Sequence, residues 1–394
     1  MTTPIRLGVA GLGRGFMLML PSLRRHPKVQ LVAAADPRPE ARATFVAEFG
    51  ATTHETVEAL CADPSVEAIY IASPHQFHVQ HVRAAAAHGK HVMVEKPMAL
   101  SVADCQAMID AAREAGVVLL VGHSHSFDAP YLATRRLIAS GEFGKLGMIT
   151  AVNFTDFLYR PRRPEELDTA QGGGVVFSQG AHQLDIVRLL GGGKLATIRA
   201  TSVRLDPKRP TEGAYNALLT FENGVNATLT YSGMAHFDTD EFLGWGGELG
   251  QARDPEEYGA ARAALSKLAT PAEEAAFKNT RAYGLAKAAD ATPGRHNHFG
   301  FLLASCAGAD LRPIPDGVMI YADAERRLHP LPAPEVPRAE VMDEFHATIR
   351  DGVPPLHSGE WGKATLEACL ALLESARTGR EVQLHHQVGL PQER

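Results

Sequence analysis

Short apolar runs alternate with amphipathic stretches over the first third of the chain. The runs typical of β-strands cover residues 5–10, 30–35, 68–72, 91–94 and 117–121. Segments with helical spacing lie between them, at residues 17–25, 38–48, 77–88 and 102–115. Apolar strands separated by helices of this length are typical of parallel βαβ units whose strands are buried on both faces. The pattern predicts a doubly wound parallel sheet of the α/β class.

After residue 126 the pattern changes to extended runs that are not each followed by a helix. One helix is predicted at residues 130–140, and strand-like runs follow at residues 148–158, 196–205, 214–221, 225–232, 299–305 and 318–322. Asn223-Gly224 lies between two of these runs, and this dipeptide favours a hairpin. Two further helices are predicted at residues 337–350 and 363–375, after a proline-spaced connector at 330–337. We therefore predict a C-terminal α+β domain with an open, mainly antiparallel sheet.

The change of pattern divides the chain into two predicted domains, residues 1–125 and 126–394. Residues 250–289 are rich in alanine and charge and have helical character, so we expect a helical insert at about residues 240–298. No motif in this insert indicates chemistry.

Composition excludes several classes of protein. The 394 residues carry 39 Lys and Arg against 45 Asp and Glu, a net charge of −6 without a basic block, so we expect no nucleic-acid partner. The longest apolar run is far shorter than the roughly 20 residues that cross a bilayer, and no secretion signal is evident, so we expect no membrane contact and a cytoplasmic location. The four cysteines lie far apart, which favours buried thiols over disulfides or a metal site.

A glycine-rich turn follows the first predicted strand and precedes a helix. Such a turn can hold a dinucleotide pyrophosphate, because side-chain-free backbone and a helix N-terminus approach the phosphates. A plain turn is the alternative. The third position of the dinucleotide motif is Phe16 instead of glycine or alanine, although Gly15 precedes it. The candidate cofactor-binding residues here are Gly11, Gly13, Arg14, Gly15 and Phe16.

Asp36 closes the second predicted strand, where a carboxylate can accept hydrogen bonds from the adenosine ribose. A carboxylate at this place repels the additional phosphate of NADP, so NAD is favoured as the cofactor. Arg38 could instead bind that phosphate, which leaves NADP open. The alternative role of Asp36 is a helix cap before Pro37.

Two polar clusters follow later parallel strands, at the sheet edge where such folds bind ligands. The lysine of the second cluster can polarise a substrate hydroxyl or transfer its proton, although a surface lysine is the alternative. The two histidines of the first cluster have no evident third metal ligand, so we expect capping or cofactor contacts and no metal. The residues of both clusters are candidates for cofactor binding: Ser73, Pro74, His75 and His78, and Glu95, Lys96 and Pro97.

The order of these motifs resembles the glucose-fructose oxidoreductase and inositol dehydrogenase family, written Gfo/Idh/MocA. The resemblance extends over nearly the whole chain and includes Gly172-Gly173-Gly174 and the segment from Gly180 through His182 to Asp185. It implies a Rossmann domain, a second domain with an open sheet, and a nicotinamide cofactor between the two domains. It also implies a homo-oligomer, a dimer or tetramer, formed through the C-terminal sheet.

Carried over by position, the resemblance implies that Lys96 and His182 are catalytic and that Pro97 is a cis-proline that aims the lysine. Many family members have Asp four residues before the histidine, where this chain has Ser178, so an Asp-His relay is in doubt. Asp185 either orients the imidazole of His182 or serves as a helix cap and ion-pair partner.

Within the family, several segments are similar to dehydrogenases that act on phthalate cis-dihydrodiols. This resemblance implies a small dicarboxylate substrate, for which arginines offer bidentate contacts, although a solvated arginine loop is the alternative. His123 and His125 are substrate-pocket candidates or structural hydrogen-bonding groups. The candidate substrate-binding residues are His123, His125, Arg160, Arg162, Arg163, Ser178, His182 and Asp185.

These observations predict an NAD-dependent dehydrogenase that oxidises a secondary alcohol, such as a carboxylated aromatic cis-dihydrodiol, to a catechol. The alternatives are a sugar or inositol dehydrogenase, a non-catalytic nicotinamide sensor, and a non-redox enzyme that uses tightly held NAD.

Overall fold

A computed structural model describes residues 3–285 and 294–391. Its first sheet has six parallel strands in the order β3-β2-β1-β4-β5-β6, which is the doubly wound arrangement predicted from the sequence. The strands are β1 (Ile5–Ala10), β2 (Val29–Ala35), β3 (Thr52–His54), β4 (Ala68–Ile71), β5 (His91–Val94) and β6 (Leu119–Val121).

Five helices connect these strands. Two elements were not predicted: β3, which is short and polar, and α3, which has only six residues and so too few for a clear period. The helices are α1 (Arg14–Arg25), α2 (Pro39–Phe49), α3 (Val57–Ala62), α4 (His78–Ala87) and α5 (Val102–Glu114).

The second sheet has nine strands in the order β14-β13-β12-β11-β7-β10-β9-β8-β15. Among the strand pairs of the described residues in this sheet, only β7 and β10 are parallel, so the predicted mainly antiparallel sheet is confirmed. The strands are β7 (Leu146–Phe154), β8 (Leu195–Val203), β9 (Ala214–Phe221), β10 (Asn226–Ser232), β11 (Phe301–Cys306), β12 (Ala309–Ile314), β13 (Gly317–Ala322), β14 (Arg326–Pro330) and β15 (Val382–Gln383).

Three of these strands were not predicted, and each has a weak sequence pattern. β12 contains Pro313, β14 is mostly polar, and β15 has only two residues. The predicted connector was also wrong at its start, because Pro330 pairs with Gly317 in the sheet. The predicted strand at 148–158 ends at Phe154, since a 3-10 turn follows at Phe157–Tyr159.

Helices cover one face of the second sheet and also join the two halves of the molecule. α11 packs on β8, and α7 is buried along its whole length. α10 crosses back, and its residues Val341, Met342 and Phe345 belong to the same core as β1 and α1. The helices are α6 (Ala129–Ala139), α7 (Ala181–Gly191), α8 (Ala260–Leu265), α9 (Pro271–Asn279), α10 (Ala339–Asp351) and α11 (Gly359–Thr378).

The predicted helical insert contains α8 and α9, together with 3-10 turns at Thr239–Leu243 and Pro255–Glu257. Its residues 286–293 lie outside the described residues. No helix in the described part of the chain has the length and apolar character needed to cross a membrane.

The prediction of buried cysteines is correct for Cys61, Cys105 and Cys369. It is wrong for Cys306, which is half-buried at the end of β11.

Candidate active site

The glycine-rich turn between β1 and α1 is shaped by its lack of side chains. Gly11 has a φ of +97°, and a Cβ there would lie 2.9 Å from the backbone of Ser73. Gly13 is the N-cap of α1 and gives no side-chain cap, so the first N–H groups of the helix are available to an anion. A Cβ on Gly15 would lie 3.5 Å from Cγ of Glu95. The turn therefore fits a dinucleotide pyrophosphate and lies beside the end of β5.

Phe16, the exception in the glycine motif, is fully buried. Its ring packs 6.1 Å from the ring of Phe45 on α2 and 5.1 Å from that of Tyr283 in the insert. These contacts place Phe16 in the apolar core of this half. Arg14 is the first residue of α1 and is exposed.

Asp36 lies at the end of β2, and both of its carboxylate oxygens have partners. Oδ2 accepts a hydrogen bond from the backbone N–H of Leu12 at 2.8 Å. Arg38 forks onto both oxygens, with Nε 2.9 Å from Oδ1 and Nη2 3.0 Å from Oδ2. The N–H of Arg38 also donates to Oδ1 at 2.9 Å, so the carboxylate stabilises the turn before α2 as well.

The loop after β4 is attached to neighbouring loops by histidines. His78 is buried, with Nε2 3.0 Å from the carbonyl oxygen of Ser73 and Nδ1 3.2 Å from that of Pro97. Burial lowers the pKa of His78 to about 4. We correct the expected cofactor contact of His78, because its ring is enclosed and holds the two loops together.

The other residues of this loop remain candidates. Ser73 Oγ lies 2.9 Å from Nδ1 of His81, and Pro74 is exposed. His75 Nε2 lies 2.7 Å from the carbonyl oxygen of Gln171, which connects the loop to the second half of the molecule.

Lys96 and Glu95 follow β5, and the Lys96-Pro97 peptide bond is cis. Nζ of Lys96 donates to the carbonyl oxygen of Ser178 at 2.6 Å. Burial lowers the pKa of Lys96 although Glu95 opposes this effect. Glu95 is itself buried and accepts hydrogen bonds from the hydroxyl group of Tyr70 and, at 3.2 Å, from Nδ1 of His123.

His182 lies at the start of α7, buried among aromatic rings. Its ring centroid is 4.9 Å from that of His125 and 5.4 Å from that of Phe299, and its Nδ1 is 3.4 Å from Oγ of Ser124. Burial lowers the pKa of His182 well below its ordinary value, and Lys96 is the charged group that adds most to this effect. The imidazole is therefore neutral at pH 7 and can accept a proton.

Two expected partners of His182 have other roles. The hydroxyl group of Ser178 donates to the carbonyl oxygen of Gly174 at 2.7 Å. The atom of Ser178 that contacts Lys96 is therefore its backbone carbonyl oxygen. Asp185 accepts hydrogen bonds from Nε1 of Trp361 at 2.5 Å and from Oγ1 of Thr365 at 2.9 Å. We therefore correct both assignments: the hydroxyl of Ser178 donates within its own turn, and Asp185 ties α7 to α11.

His125 lies between two carboxylates and is almost fully buried. Its Nδ1 is 2.6 Å from Oδ2 of Asp128, and its Nε2 is 3.2 Å from Oε1 of Glu248. Burial lowers the pKa of His125, but Asp128 and Glu248 outweigh it and raise the pKa above the ordinary value. Two bonds to carboxylates require both ring nitrogens to donate, so His125 is an imidazolium.

Glu248 is a site residue that the sequence analysis did not find. It comes from the insert, in a glycine-flanked turn closed by a bridge between Gly246 and Ala252. Burial raises its pKa, but His125 and Arg160 outweigh that effect and lower the pKa to about 2. The glycines around Glu248 are the sequence feature from which it could have been predicted, since they indicate a tight turn and Glu248 is the carboxylate within it.

The three candidate arginines separate in the structure. Arg160 donates from Nε to Asp156 at 3.1 Å and lies near enough to Glu248 to influence its pKa. Arg162 is mostly buried, stacks 3.7 Å from the ring centroid of Phe157 and donates to its carbonyl oxygen.

Arg163 has its side chain 41% exposed and lies 3.1 Å from Glu165. We correct the substrate role of Arg163, because its guanidinium pairs with this acidic neighbour on the surface. Arg160 is similarly exposed, at 39% of its side chain, but only its Nε pairs with Asp156.

Within residues 3–285 and 294–391, no group of three or more His, Cys, Asp or Glu side chains is arranged to hold a metal ion.

Comparison with known proteins agrees with this geometry. Residues 5–123 match the family described as "Oxidoreductase family, NAD-binding Rossmann fold", and residues 131–252 match the GFO/IDH/MocA C-terminal domain.

Curated relatives and solved structures cover nearly the whole chain. The chain is 46% identical over 377 residues to 1-carboxy-3-chloro-3,4-dihydroxycyclohexa-1,5-diene dehydrogenase of Comamonas testosteroni, with 95% of each protein covered. It is 26% identical to scyllo-inositol 2-dehydrogenase (NAD(+)) of Bacillus subtilis, with 96% of each covered. A structure from Bordetella bronchiseptica RB50, assigned as a dehydrogenase, superimposes with a TM-score of 0.92 at 42% identity and covers 97% of this chain and 100% of its own. The chain therefore belongs to the Gfo/Idh/MocA family of oxidoreductases and is a dehydrogenase.

Proposed function

We propose that this dehydrogenase uses NAD to oxidise a ring CH–OH group of a carboxylated cyclohexadiene cis-diol, and that the product becomes a catechol. The observation that carries the proposal is that Lys96 donates to the carbonyl oxygen of Ser178, four residues before His182, while the ring of His182 lies 6.3 Å from that of His123, which contacts Glu95 beside the glycine turn. Similarity to the Comamonas dehydrogenase supports the substrate class, because the name of that relative specifies a carboxylated diol of a cyclohexadiene.

Lys96 binds and polarises the reacting hydroxyl group. One of its N–H bonds is used on the carbonyl oxygen of Ser178, which fixes the ammonium group and leaves two donors for substrate. A nearby positive charge lowers the pKa of an alcohol and stabilises the negative charge that develops on its oxygen.

His182 accepts the hydroxyl proton. Its Nδ1 faces Ser124, so we assign the proton transfer to Nε2. Bound NAD, held by the glycine turn and Asp36, would supply the acceptor for the hydride of the carbinol carbon. The C–H and O–H bonds of the alcohol are thereby both broken and a ketone forms, which loses a further ring proton and regains it on oxygen to give the aromatic catechol.

Arg160 is the proposed partner of the substrate carboxylate. Its Nε is held by Asp156, and across the described residues neither Nη group makes a hydrogen bond. The two Nη groups can therefore bind a carboxylate from one side. The guanidinium group of Arg162 stacks on the ring of Phe157 and lies 3.8 Å from Glu166, so we assign it no direct contact with substrate.

NAD is the proposed coenzyme because Asp36 is held at the end of β2, where a ribose would meet its carboxylate. Arg38 covers the same carboxylate, so ribose hydroxyls would share or replace its hydrogen bonds. The test is the ratio of kcat/KM for NAD and NADP, for which we expect a preference for NAD of at least about tenfold.

A homo-oligomer formed through the second sheet is also part of the proposal. The face of that sheet opposite α7 and α11 carries large apolar side chains, with Met148 48% and Leu218 47% exposed. Size-exclusion chromatography with light scattering should give a dimer or tetramer for the natural protein and smaller species for Leu218→Arg.

The main experiment follows NADH formation with three diols. A carboxylated cyclohexadiene cis-diol is compared with the same diol lacking the carboxylate and with scyllo-inositol. We expect the carboxylated diol to have the highest kcat/KM, by about a hundredfold over the uncharged diol, since a bidentate arginine contact is lost. Turnover of inositol alone would contradict the substrate class and favour a sugar or inositol dehydrogenase.

A further inference from the structure

Glu248 lies beside the proposed proton acceptor but takes no part in the proton transfer assigned to Lys96 and His182. Its Oε1 accepts a hydrogen bond from Nε2 of His125 at 3.2 Å. The ring of His125 in turn meets that of His182 edge-on, with the centroids 4.9 Å apart and an interplanar angle of 74°. One imidazole ring therefore separates the carboxylate of Glu248 from the imidazole of His182.

The turn that carries Glu248 is fixed from two sides. A bridge between Gly246 and Ala252 closes the turn itself. The buried His298 packs against it: its backbone N–H donates to the carbonyl oxygen of Glu248 at 3.2 Å, and its Nε2 lies 2.8 Å from the carbonyl oxygen of Gly246. The insert thus holds Glu248 at a defined place beside His125.

The two carboxylates that contact His125 differ in what they leave open. Oδ2 of Asp128 lies 2.6 Å from Nδ1 of His125, and its Oδ1 accepts a hydrogen bond from Asn297 at 3.1 Å, so both oxygens are occupied. Glu248 uses Oε1 on His125, whereas its Oε2 accepts no hydrogen bond from any other described residue. The side chain of Glu248 is also 26% exposed, against 6% for Asp128. Glu248 therefore has one accessible oxygen that a ligand can reach.

The charge of Glu248 limits which group of a ligand this oxygen can contact. Burial raises the pKa of Glu248, but His125 and Arg160 outweigh burial and lower the pKa to about 2, so the side chain is ionised at neutral pH. A carboxylate oxygen accepts strong hydrogen bonds from hydroxyl groups and repels other anions. The carboxylate of a substrate is thus excluded from this place, whereas a hydroxyl group fits it.

We propose that Glu248 is a specificity-determining residue that binds the second hydroxyl group of the diol, the one that is not oxidised. Oε2 accepts the hydrogen bond of this hydroxyl group, while Oε1 stays on His125. The insert thereby supplies a carboxylate to the cleft in a chain whose Ser178 bonds back to Gly174. This inference rests on the proposed function, because it takes the substrate to be a diol.

The first test compares three ligands on the natural enzyme saturated with NADH, the coenzyme form present after hydride transfer. Calorimetric titration gives the Kd of 3,4-dihydroxybenzoate, a carboxylated catechol, and of 3-hydroxybenzoate and 4-hydroxybenzoate. The three ligands share the ring and the carboxylate and differ only in their hydroxyl groups. We expect the loss of either hydroxyl group to weaken binding about tenfold, since a hydrogen bond to a charged side chain is lost. Equal Kd values for the three ligands would overturn the proposal.

The second test repeats the titrations with Glu248→Gln, which keeps the size of the side chain and replaces one carboxylate oxygen by an amide group. The dihydroxybenzoate should bind about tenfold more weakly, because the second hydroxyl group loses its acceptor. The monohydroxybenzoate that lacks this hydroxyl group should change less than twofold. If Glu248 served only to fix His125, all three ligands would weaken by the same factor, and that result would overturn the proposal.

The matched control is Glu257→Gln, which removes an exposed carboxylate from the same insert. It should leave all three Kd values within twofold of those of the natural enzyme. If Glu248→Gln does not fold, Glu248→Asp takes its place: it keeps the charge, withdraws the carboxylate by one methylene group, and should give the same pattern with a smaller loss.

Failure of this inference differs from failure of the proposed function. A natural enzyme that forms NADH with inositol alone and binds none of the benzoates would contradict the substrate class, and the role of Glu248 with it. A natural enzyme that oxidises the carboxylated diol, together with unchanged Kd values in Glu248→Gln, would leave the proposed function standing and overturn the role of Glu248 alone.

Discussion

The candidate binding surfaces in the two halves of this molecule consist of different chemical groups. The coenzyme half uses mainly backbone, in the glycine turn and the uncapped start of α1, together with one side chain, the carboxylate of Asp36. The substrate half uses buried ionisable side chains that compensate one another, such as His125 between Asp128 and Glu248. We therefore expect binding in the coenzyme half to weaken when the backbone conformation changes, and binding in the substrate half to weaken when a charge is removed.

The largest expected effect comes from removing the proton-handling pair. Lys96→Met and His182→Asn should each lower kcat by about 10²–10⁴, which is the usual contribution of a positioned acid or base. Neither side chain belongs to the glycine turn, so the Kd for NADH should change less than threefold. Steady-state kinetics and NADH titration on the same preparations provide the measurement.

Lys363→Met is the control for Lys96, because Lys363 donates to Gln106 on α5, away from the cleft. Its kcat should equal that of the natural enzyme. Natural activity in both Lys96→Met and His182→Asn would remove the catalytic assignment.

A smaller but still large effect is expected for Gly11→Ala in the coenzyme half. The φ of +97° and the 2.9 Å approach to the backbone of Ser73 both exclude a Cβ, so the turn must shift. We expect NADH binding to weaken at least about thirtyfold, or about 2 kcal/mol. Gly50→Ala also lies at positive φ, with open space around it, and should cost stability while leaving the Kd for NADH unchanged.

The charged substrate half should respond to pH, and Glu248→Gln tests this. The pKa of His125 is raised above its ordinary value of 6.5, so its stabilising contribution is complete below that pH and is lost as the pH rises through the folded-state pKa. The pKa of Glu248 is lowered to about 2 from 4.5, so its contribution is present above 4.5 and is lost as the pH falls towards 2. The pair is therefore strongest between about pH 4.5 and 6.5.

In that window Glu248→Gln should lower the free energy of unfolding by about 1–2 kcal/mol, with a smaller loss at pH 9. Denaturant unfolding at pH 5.5 and pH 9 measures the difference. Glu360→Gln removes a surface carboxylate that is 44% exposed and paired with Arg113, so it should change stability by less than about 0.5 kcal/mol at either pH. An equal loss for Glu248→Gln at both pH values would argue against a charged His125.

The same contrast explains what could be predicted from the sequence. The parallel sheet, the glycine turn and the strand-end positions of Asp36 and Lys96 follow from local patterns, because backbone-made features leave a contiguous trace in the chain. The contact of His125 with Glu248 does not, since the fold brings these residues together across 123 positions of the sequence, whereas Asp128 is only three residues from His125.

The errors at Ser178 and Asp185 have the same origin. Their spacing from His182 is that of helix neighbours, but the Ser178 hydroxyl bonds back to the carbonyl oxygen of Gly174, four residues before it. Asp185 accepts a hydrogen bond from Trp361 on α11, which lies 176 residues later in the sequence. Spacing predicted which residues share a helix but not which neighbour each side chain contacts.

The smallest expected effect concerns coenzyme choice, where backbone and charge act together. In Asp36→Ser the carboxylate that repels an additional phosphate is gone, and the fork of Arg38 loses its partner. The freed guanidinium can then pair with the 2′-phosphate of NADP, so the NADP to NAD ratio of kcat/KM should rise about tenfold, or about 1.4 kcal/mol. The double variant Asp36→Ser/Arg38→Ala should lose that gain, because the cation is absent. Since Arg38 also donates to the carbonyl oxygen of Leu12 at 2.8 Å, a gain that survives in the double variant would mean that repulsion by Asp36 alone sets the preference.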